Sequence, residues 1–284
     1  MENIMLSYRH SFHAGNFADV LKHTVEVLIL EALKQKDTPF VYHDTHSAAG
    51  RYSLSSANAE KTAEYVDGIA RIWQQGEVPA PLIPYLNVIK QINKTSKLKH
   101  YPGSPLVARL LLREQDRMQM TELHPADVKL LEQEFAGDRQ ARVFKQDAYD
   151  GLKALLPGRA KRGLVLLDPS YEIKSEYRQV VQEIAQTYRR FATGTYALWY
   201  PIIERRTIDR LKRDFVGTGI KKILVIELCV KSDTEERGMT GTGMVVINPP
   251  WKLYSQMEEL LPWLTEELGQ DKNAHFRLEW LVPE

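Results

Sequence analysis

The chain has 284 residues, 43% of them hydrophobic and 26% charged, with a formal net charge of +1. That length supports one large core, or one core with a small insert. The composition excludes a disordered chain, and the small net charge leaves any polyanion to be caught by local clusters rather than by a global field. The single cysteine, Cys229, excludes an intrachain disulfide and a paired-cysteine metal site.

The first ten residues contain no apolar h-region, and no stretch of about 18 apolar residues occurs anywhere, so a cytoplasmic protein without a membrane span is expected. Residues 8–16, followed by Lys22 and His23, are dense in aromatic, cationic and imidazole side chains and suggest a ligand site. Residues 17–36 read as a helix, because Val20, Leu21, Val25, Leu28, Ile29, Ala32 and Leu33 recur at three and four residue spacing. A strand at 40–44 ends in Asp44 and runs into the small-residue turn Thr45-His46-Ser47-Ala48-Ala49-Gly50. The connection that follows is far longer than an ordinary crossover. Its apolar positions Ala63, Val66, Ile69, Ala70 and Trp73, and a further face at 82–93, predict a helical subdomain at 53–101 inserted in a domain formed by 1–52 and 102–284.

Further short apolar runs each end near an acid: 118–122 at Glu122, 141–144 just before Asp147, and 163–168 at Asp168. Runs at 196–200, 223–228 and 243–248 bring the total to about seven strands. Strands alternating with helices predict a mostly parallel, doubly wound sheet that binds ligands at the carboxyl ends of its strands. The acids would then be neighbours in space.

Asp168-Pro169-Ser170-Tyr171 carries the chemistry, since amino methyltransferases place an Asp/Asn/Ser-Pro-Pro-aromatic loop after the fourth strand. An adenine N6 lone pair is delocalised into its ring. The Asp168 carboxylate and the Pro169 carbonyl can accept both N–H bonds and favour a pyramidal, nucleophilic nitrogen, and Tyr171 can stack on an extruded base. Residues 44–50 would form the cofactor loop. Glu122 is placed to chelate ribose hydroxyls, and Asp147 to accept from an adenine amine. Asn248-Pro249-Pro250-Trp251 fits the tetrapeptide better but comes after the last strand of the seven, where its prolines end pairing. His43-Asp44-Thr45-His46 could instead begin a metal site. Two basic groups, Lys90, Lys94, Lys97 and Lys99, and Arg205, Arg206, Arg210, Lys212 and Arg213, could contact phosphates or simply face solvent.

These residues, together with the strings 5–16, 101–105, 121–125, 190–201 and 247–252, resemble the RlmJ-type 23S rRNA (adenine-N6)-methyltransferases, a family also labelled as proteins involved in catabolism of external DNA. The resemblance implies a Rossmann-like class I fold and S-adenosylmethionine as cofactor. It also implies naked 23S rRNA as substrate, no metal, and a monomer. By matching position it puts cofactor contacts on His23, His46, Ser104, Glu122, Asp147, Ala148 and Asp168, makes Asp168 the catalytic proton acceptor, and brings Tyr8 and Lys22 to the substrate. Three positions depart from the family pattern: Ser170 stands for the second proline, Ser47-Ala48 for Ala-Gly, and Ala148 for Gly. Weaker cofactor binding is the expected result. Two other functions stay open, a DNA-processing nuclease or utilisation factor and a nucleic-acid binder that has lost methyl transfer.

Overall fold

The computed structural model describes residues 9–233 and 238–284. In chain order its helices and strands are α1 (Phe17–Lys34), β1 (Val41–Asp44), β2 (Arg51–Ser53), α2 (Ala57–Thr62), α3 (Ile69–Ile72), α4 (Ile83–Ile92), β3 (His100–Pro102), α5 (Ser104–Leu111), β4 (Arg117–Glu122) and α6 (Pro125–Glu134). They continue with β5 (Ala141–Lys145), α7 (Ala148–Leu155), β6 (Gly163–Leu167), α8 (Glu176–Arg190), β7 (Thr195–Ile202), α9 (Arg205–Gly217), β8 (Ile223–Cys229), β9 (Gly241–Ile247), α10 (Leu253–Leu268) and β10 (His275–Val282).

Eight strands form the main sheet, in the order β5-β4-β1-β6-β7-β9-β8-β10. β4, β5, β6 and β7 pair in parallel register around β1, β9 runs antiparallel between β7 and β8, and β10 is antiparallel to β8. All seven expected strands are present, and β10 is the addition. Its sequence alternates charged Arg277 and Glu279 with aliphatic residues, and most of it is exposed, as befits an edge strand that caps β8.

Side-chain alternation divides the core into two layers. Tyr42, Met118, Met120, Leu164, Leu166, Ile226 and Val246 pack with α1, α5 and α10 on one face. Val165, Leu167, Leu198, Val225 and Val245 pack with α7, α8 and α9 on the other. After β1 the chain moves outward to β4 and β5, then returns to pair β6 on the opposite side of β1. The carboxyl ends of β1 and β6 therefore flank the switch point, the place where open α/β sheets bind ligands.

α1 is buried around almost its whole circumference, including Asp19, Lys22, His23, Thr24 and Glu26. Its start is set by Asn16, whose side chain accepts from the Asp19 N–H at 3.0 Å. Charged groups enclosed in this way need partners, and those partners define the site below. Between β1 and α5, the long connection is closed at its base by the antiparallel ribbon β2–β3, with Tyr52 opposite Tyr101, and α2, α3 and α4 lie between the two ribbon strands.

A glycine on β9 lets two neighbouring strands communicate. Gly243 is in register with Tyr200 on one side and Glu227 on the other. The Tyr200 ring passes over it to donate to Glu227 Oε1 at 2.9 Å, and a Cβ at Gly243 would lie 2.3 Å from that ring. Gly243→Ala is expected to destabilise the protein by about 2–4 kcal/mol through overpacking and loss of a buried hydrogen bond. Urea unfolding of the two proteins checks this; an unchanged midpoint would show that the ring can move aside freely.

Candidate active site

A cavity of about 260 Å³ opens at the switch point. His23, His46, Ser104 and Glu122 line it, as do Asp147, Ala148, Lys22 and Asp168. Eight of the ten residues singled out in the sequence thus face one space. Tyr8 lies outside the described residues. Tyr171 is described but does not line the cavity. Its backbone takes a φ of 54°, its ring packs 4.2 Å from that of Tyr177 and 6.1 Å from Trp199, and its hydroxyl donates to the Trp199 carbonyl at 2.7 Å. The expected base-stacking role is therefore corrected: in this arrangement Tyr171 anchors the loop that carries Asp168.

Lys22 is 3% exposed, and its ammonium donates to Asp168 Oδ2 at 2.5 Å and pairs with Asp19 Oδ1 at 2.9 Å. Burial opposes its charge, but Asp168 and Asp19 outweigh burial and raise its pKa. Asp19 is fully enclosed; burial alone would raise its pKa, yet His10, Lys22 and His23 hold it well below the usual carboxylate range. Asp19 Oδ2 also bonds His10 Nε2 at 2.9 Å and accepts from the Gly15 N–H at 2.8 Å, so the segment ahead of α1 is tied to the same network. Asp168 Oδ1 has no hydrogen bond among the described residues and is the carboxylate oxygen left for a ligand.

The other acids divide their duties. Glu122, at the end of β4, accepts from the backbone N–H of Ala48 at 2.7 Å and of His124 at 2.6 Å. Burial raises its pKa and these backbone donors partly offset the rise. It therefore holds the 44–50 loop in place as well as facing the cavity. Asp147 caps α7, one oxygen accepting from the N–H groups of Tyr149 and Asp150, so its second oxygen is available. Asp44 does not reach the cavity. It sits behind the loop, accepting from Tyr42 Oη at 2.8 Å and from the His46 N–H at 3.2 Å, with burial raising its pKa. Across the carboxyl edge the acids run Asp147, Glu122, Asp44, Asp168, following the strand order β5-β4-β1-β6.

The imidazoles are kept neutral. His23 bonds Tyr101 Oη through Nδ1 at 2.8 Å, and its Nε2 is buried without a partner among the described residues. Burial lowers its pKa to about 3, against the pull of Asp19. His46 shares a 2.7 Å hydrogen bond with Thr45 Oγ1, and burial lowers its pKa to about 4. Adjacent strand residues point to opposite faces: His43 lies on the sheet face opposite Tyr42, fully buried, so His43 and His46 do not converge as metal ligands would. Ala48 takes a φ of 48°, the left-handed region that favours glycine.

The alternative tetrapeptide is at the wrong end of the sheet. β9 runs antiparallel to β7, so Asn248 follows it at the amino end of the parallel strands, where its side chain donates to the Ala192 and Gly194 carbonyls at 2.9 Å each. The lining residues not anticipated from the sequence include Tyr149, Glu176 and Gln179, carried by α7 and α8. Nothing in the local pattern distinguishes them from ordinary helix residues. Asp127, which also lines the cavity, pairs with Arg9 at 2.8 Å.

A six-stranded parallel set with one inserted antiparallel strand, and acids at the ends of its first four strands, defines a class I, Rossmann-like methyltransferase. The family model for "Ribosomal RNA large subunit methyltransferase D, RlmJ" matches residues 37–282, and the chain belongs to that family. It is 59% identical over 280 residues to Ribosomal RNA large subunit methyltransferase J of Escherichia coli strain K12, covering 99% of this chain and all of that protein. The corresponding protein of Haemophilus influenzae is 52% identical over 281 residues, again covering 99% of this chain and all of its own length. A solved structure from Legionella pneumophila strain Philadelphia 1, 38% identical, superposes with a TM-score of 0.88 over 94% of this chain and 98% of that one.

Burial of neutral imidazole makes stability depend on pH. His43, like His46, has a folded pKa near 4, set by burial, with Gln119 pulling the other way and His46 adding to the fall. Unfolded, it protonates near pH 6.5. Between those values the unfolded chain binds more protons, so stability falls as pH drops from about 6.5 to 4. His43→Leu is expected to flatten this dependence by up to about 1.4 kcal/mol per pH unit. Urea unfolding at pH 7, 6 and 5 measures it, and equal slopes for both proteins would refute the assignment.

Proposed function

We propose that the chain transfers a methyl group from S-adenosylmethionine to the N6 amine of an adenine in 23S rRNA. The observation that carries the reading is the convergence of Asp168, Glu122 and Asp147 on one cavity beside the 44–50 loop. The residues suit the cofactor. Asp147 has an oxygen free for the adenine amine, Glu122 can accept from ribose hydroxyls, and the backbone turn at Ala48 with Ser104 at the start of α5 provides polar groups for the amino-acid end. His23 Nε2, otherwise an orphaned buried polar atom, gains a partner. When bound, S-adenosylmethionine supplies an electrophilic methyl on a sulfonium sulfur.

Asp168 accepts one N6–H through Oδ1, and the Pro169 carbonyl is available for the second. Withdrawing both hydrogens from the ring plane restores lone-pair density to nitrogen. Lys22 holds Oδ2, which fixes the carboxylate and keeps its charge compensated in a dry site. Methyl transfer would form the N–C bond as the methyl–sulfur bond breaks, leaving the neutral thioether S-adenosylhomocysteine, and Asp168 would receive the proton shed by the nitrogen and pass it to solvent. Residues 9–16 lie at the mouth through His10 and Arg9, near where a flipped base would enter. The helical segment 53–101 packs against α1 and α10 and is read here as a subdomain inserted in the methyltransferase domain. No described helix is long and apolar enough to cross a membrane.

Asp168→Asn removes the anionic acceptor but keeps the shape. Methyl transfer to 23S rRNA is expected to fall by about 10³-fold or more, with the urea midpoint and S-adenosylmethionine affinity staying near wild type. Mass spectrometry of rRNA nucleosides after incubation reads N6-methyladenosine directly. Wild-type turnover in the variant would overturn the catalytic role, and no product from the wild-type protein would overturn the function.

A further inference from the structure

At the opposite end of the sheet, below the amino ends of β1, β4, β5 and β6, lies a second and wider hollow of about 940 Å³. It exists because α7 is short. The helix starts at the carboxyl end of β5 and stops at Leu155, leaving the lower part of this sheet face uncovered. Arg117, Arg139, Arg142, Arg159, Lys161 and Arg162 line the hollow, and no carboxylate does.

These cations are not spent on ion pairs, unlike two members of the second basic group picked from the sequence. Of the Arg205 to Arg213 group, Lys212 pairs with Glu227 at 2.8 Å and Arg205 with Glu227 at 2.9 Å. In the hollow, Arg162 and Arg117 are held by backbone carbonyls only, of Thr38 and Leu33 for the first and of Glu114 and Asp116 for the second. Arg139, Arg142, Arg159 and Lys161 are exposed and have no ion pair or hydrogen bond among the described residues. Several like charges held around one concavity repel each other unless an anion joins them.

We infer that this hollow binds the phosphodiester backbone of the RNA whose base enters the catalytic cavity. The inference rests on the proposed function for the identity of the RNA. Charge complementarity selects a polyphosphate backbone: guanidinium forks bind phosphate oxygens two at a time, and with an overall charge of +1 the attraction must come from local clusters such as this one. Continuity with the active site supports the same occupant. The edge strand β5 begins at the hollow with Arg142 and ends at Lys145, two residues before Asp147 on the cavity wall. At about 3.3 Å per residue, the openings are separated by roughly 15–20 Å along the strand, a span that a folded RNA bridges while one nucleotide is extruded.

The test is the double charge reversal Arg142→Glu with Arg159→Glu in the full-length protein, with urea unfolding to confirm that it folds. Binding of a 23S rRNA fragment is followed by fluorescence anisotropy over a range of salt concentrations, alongside steady-state methylation. Each lost phosphate contact should reduce the slope of log K against log salt by roughly 0.7–0.9. KM for RNA should rise at least tenfold while kcat and S-adenosylmethionine affinity hold. The milder Arg142→Gln with Arg159→Gln should give an intermediate slope, and serves if the reversal fails to fold. A wild-type salt slope and KM in a folded variant would overturn the groove but leave the methyltransferase reading intact. A wild-type protein that binds the RNA through these residues without methylating it would retain the groove and remove the function.

Discussion

The site depends on one buried ion pair. Lys22 is enclosed within α1, and a charge there is tolerated only because Asp19 and Asp168 are within hydrogen-bonding distance of it. Asp19 belongs to the same helix, so one of the lysine's two counter-ions is local to α1. The loop after β6 then has one favourable position, the one that brings Asp168 to the ammonium. Removing both carboxylates would leave an uncompensated charge in the core, at a cost of several kcal/mol, whereas with either one in place the lysine keeps a counter-ion. The same contact leaves one carboxylate oxygen without a hydrogen bond among the described residues, so the ion pair and the proposed catalytic contact use opposite sides of one side chain.

A further economy appears in the 44–50 loop. Its backbone is held from beneath by Asp44 and from the side by Glu122, both through N–H donors. Neighbouring acids therefore shape the loop surface that faces the cavity. The loop does this with Ala48 in a left-handed conformation, which costs a residue with a Cβ about 1 kcal/mol. Ser170, where relatives have proline, leaves Asp168 positioned because Tyr171 is fastened on both sides, by its hydroxyl to Trp199 and by its N–H to Glu176.

Much of this was legible in the sequence. Seven short apolar runs marked seven strands in the right places, four of them closing on an acid, and a parallel sheet turns the order of those acids at strand ends into spatial adjacency. What failed did so for tertiary reasons. β10 carries charges on a solvent-facing edge and so lacks an apolar signature. The Asn248 loop resembles a catalytic motif, but strand direction, which places it at the far end of the sheet, is not written in local pattern. Tyr171 has the residue type for stacking on a base; its actual partners, Tyr177 and Trp199, come from α8 and β7. The cationic hollow escaped notice because its residues are scattered over 117–162 and meet only where α7 stops short.

The central claim is spatial, and a crystal structure with S-adenosylhomocysteine and adenosine tests it most directly. The account predicts the adenine of the cofactor product at Asp147, its ribose at Glu122, and the N6 of the added adenosine bonded to Asp168 on the side away from Lys22. Cofactor product bound elsewhere, or an adenosine whose N6 points away from Asp168, would contradict it.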